Sequence, residues 1–291
     1  MEVRSFIASM RPQQWIKNLF LFAALVFSGN LFVVHDVVLV VEGFLLFSLA
    51  SSAVYLFNDI SDLENDKLHP IKSQRPLPSG KLRVGPALTG SLLLAATGLL
   101  GGYLIRPQFS LVLILYLLIN LLYSLKLKEI VILDVMTISA GFVLRVVAGA
   151  VLINVPTSEW LIICTLLLSL FLGFSKRRNE LTILEGQADT HRSVLAQYSP
   201  YFLDQMIGIV TASTVMSYAL YTISDETVRK FGTNRLFYTV PFVLYGIFRY
   251  LYLVHKKEAG GNPTRLALTD APLLINISLW VLTATIIIYG R

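Results

Sequence analysis

Long apolar runs broken by short polar stretches dominate the chain. A helix needs about 20 mostly apolar residues to cross the hydrocarbon core of a bilayer. Such runs predict nine membrane-spanning helices, at about 15–33, 37–57, 84–105, 109–123, 130–152, 158–175, 205–223, 236–254 and 272–290. The first lacks a small-residue cleavage site and leads straight into the second, so it reads as a span, not a cleaved signal peptide. The expectation is an all-α, polytopic membrane protein forming a single domain over 1–291.

The connections are unequal. Segments 34–36, 106–108 and 153–157 are tight, whereas 58–83, 176–204 and 255–271 are long and fall on one side together with 124–129. That side, with the N-terminus, carries 17 of the 24 Lys and Arg residues; the opposite side carries 5, and Arg145 and Arg249 lie within spans. The positive-inside rule puts the N-terminus and the long loops in the cytoplasm and the C-terminus outside.

Composition agrees. Only 14% of residues are charged and 55% are hydrophobic, against about 25% charged in a soluble domain. The net charge of +6 is scattered between apolar runs, which argues against nucleic acid and for membrane lipids and anionic substrates. The lone cysteine, Cys164, excludes a disulfide framework or thiolate metal site and reads as a small apolar filler.

Chemistry concentrates in the long loops. The run Asn58-Asp59-Ile60-Ser61-Asp62-Leu63-Glu64-Asn65-Asp66 continues the second span. Asn58, Asp62 and Asp66 stand at i, i+4 and i+8, so on a continuing helix they drift only about 40° and form one oxygen-rich stripe. The dipole at a helix C-terminus disfavours carboxylates, so the cluster needs a cation. Oxygen ligands beside substrate phosphates suit Mg²⁺. Asn58, Asp59, Asp62 and Asp66 are the expected metal ligands, and Asn58, Asp62 and Asp66 the expected catalytic centre. An EF-hand is excluded by the absence of a midpoint glycine and a correctly spaced closing Glu.

Downstream, His69-Pro70-Ile71-Lys72-Ser73-Gln74-Arg75-Pro76-Leu77-Pro78 cannot form a regular helix and carries Lys72 and Arg75 beside the stripe, where they can grip phosphate oxygens. Further candidates are Tyr123, Lys128 and Asp134, then Lys176, Arg177 and Glu180, followed by Asp189, His191, Arg192 and Tyr198. His191 reads as an ordinary loop histidine. Arg249 lies near the cytoplasmic end of its span, where it either binds a lipid phosphate or snorkels. Within the membrane, Glu42 and Arg145 are each about 22 Å from the cytoplasmic boundary and are expected to form an ion pair.

Asn58-x3-Asp62-x3-Asp66, the Lys72/Arg75-Pro76 loop and the nine spans resemble the UbiA-type polyprenyl transferase superfamily. The likeness runs from Arg11-Pro12-Gln13-Gln14-Trp15-Ile16-Lys17-Asn18 through the eighth span. It implies a helical membrane enzyme whose Asp-rich motif chelates Mg²⁺–diphosphate. The family's aromatic prenyltransferases carry a second acidic pair at i and i+4; here Asp134 is followed by Ile138. The opening motif, Tyr123-Ser124-x3-Lys128 with Asp134, Leu144-Arg145-x3-Gly149 and Lys176-Arg177-x2-Glu180 are similar to the decaprenyl-phosphate phosphoribosyltransferase branch.

That resemblance implies transfer of 5-phosphoribose from phosphoribosyl pyrophosphate to a polyprenyl phosphate, with Mg²⁺ as cofactor, in a bacterial plasma membrane. The substrate-binding residues would be Lys72, Arg75, Tyr123, Lys128, Asp134, Lys176, Arg177 and Glu180. Glu180 would either accept ribose hydroxyls or orient Arg177. Two readings stand beside it, an aromatic or quinone-precursor prenyltransferase using a prenyl diphosphate, and a transporter of a phosphorylated metabolite. No internal repeat supports the transporter. A homo-oligomer is left open.

Overall fold

The protein is described by a computed structural model covering residues 2–68, 72–183, 194–257, 261 and 263–290. Asp189, His191 and Arg192 lie outside the described residues, as do His69, Pro70 and Ile71. All regular structure among the described residues is helical. In chain order the helices are α1 (Glu2–Ser9), a 3₁₀ segment (Pro12–Phe20), α2 (Leu21–Ser28), α3 (Val34–Ser61), α4 (Leu63–Leu68), α5 (Val84–Ile105), α6 (Pro107–Leu125) and α7 (Leu133–Leu152). They continue with α8 (Glu159–Ile183), α9 (Pro200–Ile223), α10 (Asp225–Phe231), α11 (Val240–Lys256), α12 (Pro263–Thr269) and α13 (Ala271–Tyr289).

Eight helical stretches are long and apolar enough to cross a membrane, where nine spans are expected from the sequence. The difference lies at the start of the chain. Residues 12–28 fold as a 3₁₀ piece running into the short α2. At about 2.0 Å per residue for the first piece and 1.5 Å for the second, the pair is about 30 Å long. Elsewhere helices outrun the expected boundaries. Helix α3, at 28 residues, is about 42 Å long and exceeds a 30 Å hydrocarbon core. Helix α8 continues to Ile183, so Lys176, Arg177 and Glu180 sit on a helix, not in the loop 176–204 to which the sequence reading assigns them.

The chain forms two compact units, residues 1–137 with 144–157, and residues 138–143 with 158–291. In the first, α3, α5 and α6 surround a core that includes Val40, Phe47, Ala50, Phe109 and Leu113, closed by Leu21 and Leu152. Among lipids, apolar area gives little drive for helices to associate, so close backbone approach must hold them. Small residues supply it. A Cβ on Gly98 of α5 would stand 3.2 Å from the Leu46 carbonyl of α3, and one on Gly149 of α7 only 2.0 Å from the Leu21 carbonyl.

The N-terminal 3₁₀ segment is fastened to α3 by polar contacts inside this unit. Trp15 Nε1 donates to Ser52 Oγ at 3.0 Å, and Asn18 Nδ2 donates to Ser48 and Ser51 at 2.9 and 3.2 Å. The buried Arg145 completes the set. Its Nε donates to Asn18 Oδ1 at 2.8 Å, its Nη2 to Tyr116 Oη at 3.1 Å, and its guanidinium lies over the Phe47 and Tyr116 rings. The expected Glu42–Arg145 ion pair is not formed, because Glu42 is on the exposed side of α3. An amide oxygen, a phenol and two ring faces hold the guanidinium instead.

The second unit is tied by cross-helix polar pairs. Asp204 on α9 accepts from Arg178 on α8 at 2.5 Å and pairs with His255 on α11 at 3.3 Å. Arg249 on α11 donates to both oxygens of Asp270 at 3.1 and 2.8 Å, and Asp270 also caps α13 by accepting from the Leu273 amide. The guanidinium beside Asp270 holds its carboxyl below the usual range. Arg249 is therefore an inter-helix tie.

Replacing Gly149 by Ala forces backbone apart and should lower the melting midpoint in detergent by several degrees. Gly208→Ala meets nothing within 4 Å and should leave the midpoint unchanged or slightly higher, since Ala is favoured over Gly in a helix by about 1 kcal/mol. Differential scanning fluorimetry of both variants checks this.

Candidate active site

The polar end of α3 is built as the residue spacing suggests, with one break. The Asp62 amide donates to the Asn58 carbonyl at 2.9 Å and the Asp66 amide to the Asp62 carbonyl at 2.8 Å. The i→i−4 pattern thus crosses from α3 into α4 although the helix is interrupted at Asp62. Asp59 and Asp66 are each only 2% exposed. Asp62, at 34%, is open.

A buried carboxylate needs a cation or strong donors around it, and each one here has them. Asp59 is paired with Arg11 and with Arg75, the latter at 3.2 Å. Asp66 is paired with the same Arg75 nitrogen at 2.7 Å and with Lys72 at 3.4 Å. Asp62 is paired with Lys128 at 2.5 Å. Asn58 Oδ1 accepts from Ser124 Oγ at the end of α6. Three separate stretches converge on the motif: the residue before Pro12, the turn Lys72–Gln74 with Arg75, and the α6 terminus with the following turn Leu127–Glu129.

Of the sequence-derived candidates, Asn58, Asp59, Asp62, Asp66, Lys72, Arg75 and Lys128 are thus brought together in the first unit. Tyr123 is half-buried beside Ser124, and Asp134 is fully buried in the first turn of α7, where a helix N-terminus favours a carboxylate. In the second unit Arg177 is buried and donates to Glu180 at 2.6 Å, and Lys176 pairs with Glu180 at 3.6 Å. Glu180 thus lies in ion-pair contact with both cations.

Among the described residues no three Asp, Glu, His or Cys side chains stand together as a ready metal cage. The donor set is still one of hard oxygens, three carboxylates and an amide, and it suits Mg²⁺ chemically. Its carboxylates are turned toward side-chain cations.

A model of the UbiA prenyltransferase family matches residues 18–269. The chain belongs to this family. It is a membrane-embedded transferase of the UbiA type. It is 31% identical over 285 residues to a decaprenyl-phosphate phosphoribosyltransferase of Mycobacterium tuberculosis, covering 97% of this chain and 93% of that one. It is 32% identical over 298 residues to the enzyme of the same name from Mycolicibacterium smegmatis, covering 99% and 93%. In fold it is similar to a UbiA homologue from Archaeoglobus fulgidus solved with GPP and Mg²⁺, with a TM-score of 0.74 at 19% identity over 98% of this chain and 99% of that one.

Two residues that the structure adds to this cluster, Arg11 and Ser124, are given no site role by the sequence. Arg11 lies 48 positions from Asp59, so no local spacing links them. The signal available was the polar opening Arg11-Pro12-Gln13-Gln14. Arg75 serves two buried carboxylates at once, so Arg75→Met should cost about 2 kcal/mol, less than the 3–5 typical of a fully buried pair because Arg75 is partly exposed. Lys72→Met should cost less than half as much. Thermal unfolding of the two variants measures the difference.

Proposed function

We propose that the chain transfers 5-phosphoribose from phosphoribosyl pyrophosphate to a polyprenyl phosphate and releases pyrophosphate. The observation that carries this reading is the near-full-length similarity, at 31% and 32% identity, to enzymes named for that acceptor and that transfer. The likeness to the homologue solved with GPP is one of fold. The residues agree with the assignment. A second acidic pair for a lipid diphosphate is missing, since Ile138 follows Asp134 at i+4.

In this reading the bond between ribose C1 and a pyrophosphate oxygen breaks while an oxygen of the lipid phosphate bonds to C1 from the opposite face, inverting that carbon. The lipid phosphate is already an anion at neutral pH and needs no general base. Departure of pyrophosphate depends on stabilising the charge that develops on it. Lys72 and Arg75 supply fixed cations for its oxygens, and Lys128 another. Asn58, Asp59, Asp62 and Asp66 would hold Mg²⁺, which when bound neutralises part of the leaving-group charge. Lys176 and Arg177 are assigned to a further phosphate, and Tyr123 and Asp134 to substrate binding. By the 17-to-5 division of Lys and Arg, the N-terminus and the long loops lie in the cytoplasm, where a water-soluble donor is available, and the C-terminus lies outside.

The test gives purified protein Mg²⁺, labelled phosphoribosyl pyrophosphate and decaprenyl phosphate, and follows label into the organic phase. Label should enter the lipid, and Asp62→Ala or Asp66→Ala should reduce transfer by about a hundredfold or more, the scale of removing one transition-state-stabilising group. Lys176→Ala and Arg177→Ala should raise KM for one phosphorylated substrate more than Lys256→Ala does. Absence of labelled lipid, with prenylation of 4-hydroxybenzoate from geranyl diphosphate by the same preparation, would reassign the chain to aromatic prenyl transfer.

A further inference from the structure

The acidic motif is matched cation for carboxylate, with one cation in excess. Asp59, Asp62 and Asp66 carry three negative charges; Arg11, Lys72, Arg75 and Lys128, all in direct ion pairs with them, carry four positive charges. A bare dication approaching this cluster meets a net positive charge. It must also compete with an ammonium or guanidinium on each of the three carboxylates. A diphosphate arriving alone is drawn by the excess charge but finds its natural partners engaged by carboxylates, which repel it at close range. When both arrive, every carboxylate can trade its cation for metal and every released cation can turn to a phosphate oxygen. No charge is then left bare.

Arg11 is built for such an exchange. Its backbone is left-handed, with φ 53° and ψ 60°, an unusual state for a residue with a side chain. It sits between α1 and the 3₁₀ segment, its amide bonded to the Ala8 carbonyl and its carbonyl to the Gln14 amide. The guanidinium lies over the Tyr55 ring, 5.3 Å from the centroid, so it has a second resting contact when it leaves Asp59. Asp59 keeps Arg75, which reaches Asp66 as well. Among the described residues Lys128 is the one ion-pair partner of Asp62, the most open of the three carboxylates.

We propose that Arg11, Lys72, Arg75 and Lys128 form an ion-exchange lock on the Asp-rich motif, so that metal and diphosphate enter as a pair and neither binds well alone. The proposal rests on the assignment of the motif to a metal–diphosphate under Proposed function. It makes Arg11 and Lys128 specificity-determining: the site admits a metal-complexed diphosphate and excludes free divalent cations and metal-free diphosphate. By reciprocity, whatever factor pyrophosphate adds to metal affinity, the metal adds to pyrophosphate affinity.

The experiment uses the full chain in detergent with Mn²⁺ as probe, reading free Mn²⁺ by electron paramagnetic resonance with and without pyrophosphate. Wild type should bind Mn²⁺ alone weakly and Mn²⁺–pyrophosphate tightly. Arg11→Gln and Lys128→Gln should each bind Mn²⁺ alone at least about fivefold tighter, the low end of ordinary coupling between sites, and Mn²⁺–pyrophosphate at least about fivefold more weakly. A purely structural role for these cations predicts weaker binding of both. The residues lie in separate segments, so either variant that folds is sufficient. Mn²⁺-alone affinity unchanged or reduced in the folded variants would overturn the lock. Asp62→Asn separates the two ideas: if it binds Mn²⁺–pyrophosphate as wild type does, the metal assignment itself fails. If it loses that binding while the Arg11 and Lys128 variants gain nothing with Mn²⁺ alone, only the lock fails.

Discussion

Two carboxylates buried almost completely at the polar end of α3 set the terms for the first unit. Asp59 and Asp66 are each 2% exposed, and an ionised carboxylate so placed is destabilising unless cations or donors surround it. Arg75 meets both with one nitrogen. Arg11 and Lys72 complete the shell from opposite directions in the sequence. The need to neutralise these charges thereby brings the N-terminal segment and the proline-rich loop to one place, and Lys128 and Ser124 bring the end of α6 to the neighbouring Asp62 and Asn58. A site assembled in this way is held by electrostatics at its centre and by helix packing beneath.

The packing beneath has its own polar spine. Arg145, Asn18, Ser48, Ser51, Trp15 and Ser52 run along the face of α3 that leads to Tyr55 and Asp59. Hydrogen bonds inside an apolar environment are retained because the alternative is an unsatisfied polar group. They fix the 3₁₀ segment on α3 and so deliver Arg11 to Asp59. The close contact of Gly149 with the Leu21 carbonyl secures the other end of that segment. Fold and polar scaffold together gather the charged groups of this family member at the polar end of a membrane helix.

Much of this was legible in the residues. Run length marked eight of the nine expected spans, because crossing hydrocarbon demands a near-unbroken apolar stretch, and the i, i+4, i+8 spacing of Asn58, Asp62 and Asp66 picked out the polar helix end on which the side-chain cations gather. What escaped has physical reasons. The 3₁₀ course of residues 12–20 leaves no mark on hydropathy. The extension of α8 through Lys176 and Glu180 is hidden because charges outside the bilayer are compatible with helix or loop. Charge logic paired Arg145 with Glu42 by depth, whereas a guanidinium can be satisfied by an amide, a phenol and ring faces. Arg11 meets Asp59 across 48 residues, a distance only folding can close.

In the proposed reaction the cations paired with the carboxylates are those that take the diphosphate. An experimental structure with Mg²⁺ and pyrophosphate bound tests it most directly, through the Arg75–Asp66 contact, 2.7 Å here. The account predicts that this contact opens beyond about 4 Å, the outer limit of an ion pair, with the Arg75 guanidinium on a phosphate oxygen and the Asp66 carboxylate on the metal. Pyrophosphate bound with the Arg75–Asp66 and Lys128–Asp62 pairs intact would contradict it.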